Sequence, residues 1–171
     1  MPPIKSSLSN QDSGENVKHK VSPPLHLVSY PLLLHLAQSR VDLHIPSVDV
    51  VGGYSITSPP HRLREGGTFN LAIQYSDHAP TLWMSTNCQV GDKLSVRVGG
   101  DFWYSPPSPW EVGDLLLIGG GVGINPLFSM LQHHVWMLQS PECTASHECN
   151  LGAVHILYSS KTISELLFKV G

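Results

Sequence analysis

The chain of 171 residues lacks the sequence features of metal-binding, disulfide-linked, nucleic-acid-binding and membrane-spanning proteins. Its cysteines, Cys88, Cys143 and Cys149, are odd in number and form no C-x-x-C pair, so the sequence supports neither a zinc site nor a disulfide framework. The net charge of −3 leaves no basic excess for binding nucleic acid. No apolar run approaches the ~20 residues that span a bilayer. We therefore expect no metal site, no nucleic-acid partner and no membrane span.

The N-terminal segment lacks the features of a targeting peptide and of a packed domain. No apolar signal core follows Met1, and Asp12 and Glu15 are unusual in a mitochondrial presequence. Residues 1–24 are rich in small polar residues and proline, which cannot bury enough surface to offset the entropy of ordering. We expect residues 1–40 to be largely disordered or poorly specified. With no clear targeting segment in this chain, we expect an intracellular protein, either cytoplasmic or mitochondrial.

From Val41 onward, apolar and polar residues alternate with the period of half-buried strands. A short helix is expected over residues 79–86, and the proline-rich run 105–109 marks a domain boundary. Residues 41–109 are thus predicted to form an antiparallel β domain. Its four recognisable strands lie near residues 41–45, 48–58, 68–75 and 94–98.

Residues 110–171 have the pattern of a parallel α/β unit. The uncharged run Leu115–Ile118 predicts a strand buried on both faces, and a glycine-rich turn follows it. Asn125 is expected to be the N-cap and Pro126 the first residue of a helix that ends near Ser140. A second strand at residues 153–158 and a helix at residues 163–168 complete a β-α-β-α order.

The glycine turn places free backbone N–H groups and the positive end of a helix dipole together, which favours an anion such as phosphate. Ile124-Asn125-Pro126 offers no Gly-Lys-Ser/Thr, which excludes a P-loop. Pro126 also stands where the common dinucleotide fingerprint has its third glycine. An ordinary strand-to-helix turn with several glycines is the structural alternative at this point.

Four stretches, in this order, resemble motifs of the ferredoxin–NADP reductase superfamily. Residues 52–58, Gly-Gly-Tyr-Ser-Ile-Thr-Ser, resemble its flavin motif Arg-x-Tyr-Ser-x-x-Ser. Residues 90–98 resemble the last barrel strand with its Gly-Asp turn. Residues 119–126 resemble its pyridine-nucleotide motif, in which proline takes the place of the third glycine. Residues 157–168 resemble the second strand and following helix of its nucleotide domain.

The resemblance implies a partial antiparallel flavin-binding barrel over residues 41–109 and an incomplete Rossmann-like parallel α/β domain over residues 110–171. It also implies hydride transfer between a nicotinamide (NAD or NADP) and FAD, with an unknown electron acceptor and no catalytic side chain. Tyr54 would pack against the flavin, with Ser55 near its reactive nitrogen. The dinucleotide would contact the turn, formed by Gly119, Gly120, Gly121, Val122, Gly123, Ile124, Asn125 and Pro126.

Several departures from the family pattern keep a second interpretation open. Gly52 replaces the arginine that pairs with the flavin pyrophosphate, so FAD binding is expected to be weak or lost. Only four barrel strands and two parallel strands are recognisable, fewer than the family needs, which suggests a truncated or alternatively spliced form. The alternative function is therefore a catalytically inactive fragment that retains only the phosphate-binding turn. A methyltransferase is a third hypothesis, disfavoured by the β half that precedes the turn.

Overall fold

The structure is a computed structural model and describes residues 4–6, 19–21, 25–26, 40–104, 113–141 and 151–168. The strands are β1 (Ile4–Ser6), β2 (His19–Val21), β3 (Leu25–His26), β4 (Arg40–His44), β5 (Gly52–Ser55), β6 (Thr68–Phe69), β7 (Ala72–Gln74), β8 (Lys93–Gly99), β9 (Leu115–Gly120) and β10 (Val154–Ser159). The helices are α1 (Pro60–Gly66), α2 (Ala79–Thr86) and α3 (Ile124–Leu138), with 3-10 turns at Gly121–Gly123 and Ile163–Glu165.

The first part of the chain is an antiparallel sheet with strand order β5-β4-β8-β1-β3-β6, next to a two-stranded pair of β2 and β7. Alternation along β4 turns Val41 and Leu43 into the core, where both are fully buried. Helix α2 lies at the predicted residues and buries Met84 in the same core. This core is built from one apolar face of the sheet: Val41, Leu43, Ile45, Ile56, Phe69, Leu71, Ile73, Met84, Cys88 and Leu94.

Strands β1, β2 and β3 lie in the segment whose composition predicted disorder. β1 pairs with both β8 and β3, β3 pairs with β6, and β2 pairs with β7. The antiparallel part therefore has more strands than the four recognised in the sequence. Such two- and three-residue strands carry too few residues for an alternating pattern, and partner strands specify them instead.

The predicted strand over residues 68–75 is interrupted between β6 and β7. Asn70 donates its backbone N–H to Ser58 Oγ at 3.0 Å, and its carbonyl oxygen accepts the Thr57 N–H at 2.9 Å. These bonds connect Asn70 to the segment after β5. Next to them, Ile56 and Leu71 form an isolated antiparallel β-bridge. The expectation of one continuous strand was wrong, because local hydrogen bonds with Thr57 and Ser58 replace the ladder there.

The second part is a β-α-β unit. Strands β9 and β10 pair in parallel over their whole length, from Leu115 opposite Val154 to Gly120 opposite Ser159, and α3 connects them along the chain. Antiparallel β followed by parallel α/β is the predicted fold class, which is confirmed. The proposed domain boundary at residues 105–109 lies outside the described residues.

Strand β9 is buried on one face only. Leu117 is 4% exposed and packs against α3 residues, whereas Leu116 is 56% and Ile118 67% exposed. The prediction of a strand buried on both faces was wrong, because a run of apolar residues does not determine whether other elements pack on one face of the strand or on both. On β10, Leu157 is also exposed, so the uncovered face is apolar on both strands.

The helix predicted at residues 163–168 is a single 3-10 turn. Tyr158 accepts the backbone N–H of Leu167 on its hydroxyl oxygen at 3.2 Å, and Leu166 is extended. A side chain of β10 thus takes the N–H group that the next helical turn would need, which ends the helix early.

Helix α1 was not predicted from the sequence. Pro60 lies in the first turn, where its missing N–H costs nothing, and Gly67 closes the helix with a left-handed φ of 60°. The helix packs on α3 through a ring stack of His61 on Trp136, with centroids 4.9 Å apart. His133 also stacks on Trp136, at 5.9 Å.

No helix among the described residues is long and apolar enough to cross a membrane.

The two faces of β9 predict opposite responses to truncation. We expect Leu117→Ala to lower the free energy of unfolding by about 2–5 kcal/mol, because it empties a packed site. Ile118→Ala on the exposed face should change it by less than about 1 kcal/mol. Urea denaturation followed by circular dichroism measures both, and equal losses would contradict the one-sided burial.

The histidine stack between α1 and α3 predicts a pH dependence of stability. Burial lowers the pKa of the His133 imidazole to about 4, with smaller effects from His61, Arg64 and His134. Between that value and the unfolded pKa of about 6.5, the unfolded chain binds a proton that the native chain does not. Stability should therefore fall as pH falls through this window, by at most ~1.4 kcal/mol per pH unit from this group.

Urea titrations between pH 4 and pH 7 measure this slope. His133→Gln should flatten it relative to the unmodified chain. A slope that persists in His133→Gln would assign the effect to other groups.

Candidate functional site

The glycine turn connects the end of β9 to α3 through the 3-10 turn Gly121–Gly123. Gly121 has a φ of 51°, which a side chain would strain. A Cβ at Gly119 would lie 2.9 Å from Leu127 Cδ1, so the leucine side chain would have to shift to admit a larger residue. A Cβ at Gly121 or Gly123 would meet nothing within 4 Å, so the outer side of the turn is open.

Helix α3 begins at Ile124, with Gly123 as its N-cap. The expectations for Asn125 as N-cap and Pro126 as first helical residue were therefore wrong by two residues. Asn125 lies inside the first turn and donates its Nδ2 to the Ala72 carbonyl at 2.8 Å instead. Pro126 is tolerated because the N–H groups of a first turn have no helical partner. No side-chain hydrogen bond caps this helix start, and the N–H of Ile124 bonds to carbonyl oxygens of the preceding 3-10 turn. The anion site at this position stays a prediction.

One face of α3 is hydrogen-bonded to the antiparallel part of the chain. Asn125 Nδ2 donates to Ala72 O at 2.8 Å, Ser129 Oγ to Ser58 O at 2.7 Å, and Gln132 Nε2 to Thr57 O at 2.8 Å. Their spacing of four and three residues places them in one row on the helix. We call these three residues the docking row; it fixes the glycine turn against β7.

A cavity of about 420 Å³ lies where the docked turn meets the sheet. Its walls are Gly53 to Ser55 on β5, residues 72–76 on and after β7, and Val122 and Asn125 of the turn. The volume is in the range of small-molecule sites. The cavity thus joins the two motifs, which are about 70 residues apart in the sequence.

The cavity is lined by both polar and apolar groups and carries no charged side chain among its described walls. Tyr54 donates or accepts a hydrogen bond with Thr81 Oγ1 at 3.1 Å, and burial raises the pKa of its phenol, so it is neutral at pH 7. Hydroxyl groups of Ser55 and Ser76 add further hydrogen-bonding capacity. Such a wall can hold a flat neutral ring, and it offers no carboxylate or histidine as a general base.

The structure brings together Tyr54, Ser55, Val122 and Asn125 from the predicted site. The remaining predicted turn residues do not line the cavity: Gly119, Gly120, Gly121, Gly123, Ile124 and Pro126. Ile124 is buried beneath the turn in the core of the second part. The segment Gln74–Ser76 lines the cavity and was missed, although its position between a strand end and α2 was the signal that could have indicated it.

Gly52, where the family has arginine, leaves no room for a side chain. A Cβ at Gly52 would lie 2.7 Å from Tyr54 Cε2 and 2.8 Å from Pro80 Cβ. The Tyr54 ring therefore occupies the space next to Gly52, and the replacement is built into the packing of β5 against α2.

The nearest arginines on the sheet do not replace that cation. Gly52 is opposite Leu43 on the core face, whereas Gly53 is opposite Asp42 on the other face. Asp42 binds Arg97 Nη2 at 2.8 Å and Arg40 Nε at 3.3 Å, and the hydrogen bond from Arg97 lowers the pKa of the Asp42 carboxyl despite its burial. Both guanidinium groups thus lie on the opposite face of the sheet and share one carboxylate.

Asn125 has one unsatisfied polar atom. The residue is 4% exposed, and its Oδ1 is buried with no hydrogen-bond partner among the described residues. A carbonyl can only accept, so the bond to Ala72 O identifies which branch of the amide is Nδ2. An unpaired buried acceptor costs about 1–3 kcal/mol, a cost that a bound donor would remove.

A second polar contact joins the two parts of the chain. His134 is fully buried and lies between the Tyr104 hydroxyl, 3.0 Å from its Nδ1, and the Gly152 carbonyl, 2.9 Å from its Nε2. Because a carbonyl only accepts, Nε2 carries the proton and Nδ1 accepts from Tyr104. Tyr104 thus packs at the junction of the two parts.

The residues present fit the phosphate-bearing half of a dinucleotide better than they fit a flavin pyrophosphate. The turn is open, uncapped and glycine-lined, whereas the Gly52 position brings no cation and no space for one. Among the described residues, no group of three or more histidine, cysteine or acidic side chains could hold a metal ion.

The comparisons with known proteins agree with the motifs. The chain is 44% identical over 142 residues to oxidoreductase NAD-binding domain-containing protein 1 of Danio rerio, and 42% identical over 129 residues to the Homo sapiens protein of that name. These matches cover 83% and 75% of this chain, but 52% and 41% of the relatives. The chain is homologous to these proteins over the matched residues and spans about half of their length or less. No family model matches the chain.

Solved structures show the same fold at low identity. Ferredoxin–NADP⁺ reductase from Plasmodium falciparum with 2′P-AMP matches 97% of this chain and 65% of its own, at 16% identity and a TM-score of 0.67. A cytochrome P450 reductase from Amycolatopsis matches 96% of this chain and 44% of its own, at 21% identity and a TM-score of 0.62. The fold is therefore of the ferredoxin–NADP reductase type, as the motifs implied.

The packing around Gly52 predicts different outcomes at adjacent glycines. Gly52→Ala should cost about 1–3 kcal/mol, because its Cβ would press on the Tyr54 ring and Pro80. Gly53→Ala, whose Cβ would be 3.6 Å from Asp42 Oδ1, should fold with little loss. Thermal unfolding compares the two, and a tolerated Gly52→Ala would show that Tyr54 leaves room for a side chain.

Proposed function

We propose that this homologue of oxidoreductase NAD-binding domain-containing protein 1 binds NAD or NADP at the glycine turn and takes part in hydride transfer between its nicotinamide and FAD. The electrons then pass to a separate acceptor. The observation that carries the proposal is the cavity shared by Tyr54 and Ser55 of β5 with Val122 and Asn125 of the turn. The names of the relatives and the reductase-type fold support the same class of reaction.

In this proposal the protein binds and aligns, since the two cofactors supply the hydride chemistry when bound. The open glycine backbone of the turn and the positive end of the α3 dipole would hold the pyrophosphate. Tyr54 and Ser55 form the wall against which a flat ring rests, and the docking row keeps that wall and the turn at a fixed separation. A cavity without charged side chains suits this role, because alignment of two rings needs no proton donor from the protein.

The end of β10 is placed for the adenosine side of the same ligand. Ser159 is opposite Gly120, and a Cβ on Gly120 would lie 3.9 Å from Ser159 Oγ. Ser160 and Lys161 follow, and neither is an acid that would repel a 2′-phosphate. Both NAD and NADP are compatible with this edge.

The second candidate is a binding fragment that retains the phosphate turn and has lost flavin chemistry. The observation that favours it is Gly52, whose position has neither the family cation nor room for one. Absorbance of the purified 171-residue chain in the flavin bands, together with NADH oxidation, separates the candidates. A chain with bound flavin that oxidises NADH supports the reductase, and a colourless chain that binds dinucleotide without oxidising it supports the fragment.

Charge reversal at the turn tests the dinucleotide site. Gly123 has a φ of −61° and open space at its Cβ, so Gly123→Asp should fold. Its carboxylate would face the bound pyrophosphate, and we expect affinity for NADH to fall at least about tenfold. Stability should hold or rise slightly, since a carboxylate is favourable at a helix start.

The matched control is Gly113→Asp, which adds the same charge in open space before the opposite end of β9. It should bind NADH like the unmodified chain in a fluorescence titration. Equal affinity of all three chains would place the dinucleotide elsewhere.

A further inference from the structure

Asn125 has a feature that docking alone does not explain. Its Nδ2 is committed to Ala72 O at 2.8 Å, and its Oδ1 is buried without a partner among the described residues. Ser129, which follows Asn125 by four residues in the docking row, makes the equivalent contact to Ser58 O with a single hydroxyl group. A small donor is therefore enough to dock α3, and the amide at residue 125 adds a buried acceptor that has no partner among the described residues.

The position of Asn125 Oδ1 limits which hydrogen-bond donors can bond to it. Asn125 lines the cavity beside Tyr54 and Tyr75, and the described walls of this cavity carry no charged side chain. A cationic donor would lose its hydration there without gaining a counter-charge, whereas a neutral N–H would need only one acceptor. The terminal torsion of asparagine has a broad minimum, so the amide can turn toward a donor while Nδ2 stays near its carbonyl.

We propose that Asn125 is a specificity-determining residue whose Oδ1 accepts a hydrogen bond from the amide-type N–H of a ring ligand in this cavity. Two groups have this chemistry: the carboxamide NH₂ of a nicotinamide and the ring imide N3–H of a flavin. The inference rests on the proposed function and adds to it the contact that selects the reacting ring. A ligand that lacks this N–H leaves the acceptor unpaired and binds more weakly.

Matched ligand pairs test the contact by binding rather than by turnover. The first pair is NAD⁺ and its 3-acetylpyridine analogue, in which a methyl group replaces the carboxamide NH₂. The second pair is FAD and N3-methyl-FAD. Titrations of the 171-residue chain, followed by fluorescence, should show about tenfold weaker binding of the modified ligand in the pair that contacts Asn125.

Asn125→Leu should remove this preference and bring the two dissociation constants to within about twofold of each other, because neither ligand then meets an acceptor. Ser129→Ala is the control: it removes a neighbouring donor of the docking row and should keep the preference. Comparing ratios within each variant cancels any general loss of affinity from altered docking.

A preference in the NAD⁺ pair assigns the contact to the nicotinamide, and a preference in the FAD pair assigns it to the flavin. A ratio near one in both pairs for the unmodified chain overturns the proposal even if Asn125→Leu does not fold. A preference that survives in Asn125→Leu overturns it too. If neither NAD⁺ nor FAD binds the unmodified chain, the proposed function itself fails, which is a different result from binding without preference.

Discussion

The hydrogen bonds of the docking row are the interaction on which the rest of the structure depends. They join side chains of one helix face to carbonyl groups of the antiparallel part, at distances of 2.7 to 2.8 Å. Two of these carbonyls belong to Thr57 and Ser58, directly after β5, and the third belongs to Ala72 on β7. Because the same residues border the cavity or adjoin its walls, its width follows from hydrogen-bond geometry, which tolerates less variation than apolar contact.

The two sides of the site differ in how far they follow the family pattern. The turn side has open space at Gly121 and Gly123, a helix start without a side-chain cap, and contact between Gly119 and Leu127. On the sheet side, Tyr54 and Ser55 remain, but the Tyr54 ring fills the space next to Gly52. The glycine and the position of the tyrosine are therefore one packing arrangement, which leaves no room there for the arginine of the flavin motif that the sequence resembles.

Sequence patterns predicted those elements whose signal is local. Helix α2, strands β4 and β8, and the strand–turn–helix around the glycines follow from periodicity and glycine placement. The patterns could not predict features that depend on distant partners. Asn125 was expected to cap α3 because its preference is local, but the Ala72 carbonyl, 53 residues away, takes its donor. The exposure of Ile118 and the pairing of β1 to β3 are likewise decided by neighbours absent from the local sequence. Tyr54 and Ser55 were predicted as site residues from the resemblance to family motifs, since periodicity and glycine placement alone did not indicate them.

The contact of His134 with Tyr104 and Gly152 has a consequence for how such a chain can vary. Tyr104 and Gly152 are tied to the same imidazole in the interior of α3. Loop-closure entropy grows only with the logarithm of chain length, so the shared contact, more than the length of chain between the tied residues, sets where they lie. Homologues that keep these three residues should therefore keep the relative placement of sheet and helix even where their chain lengths differ.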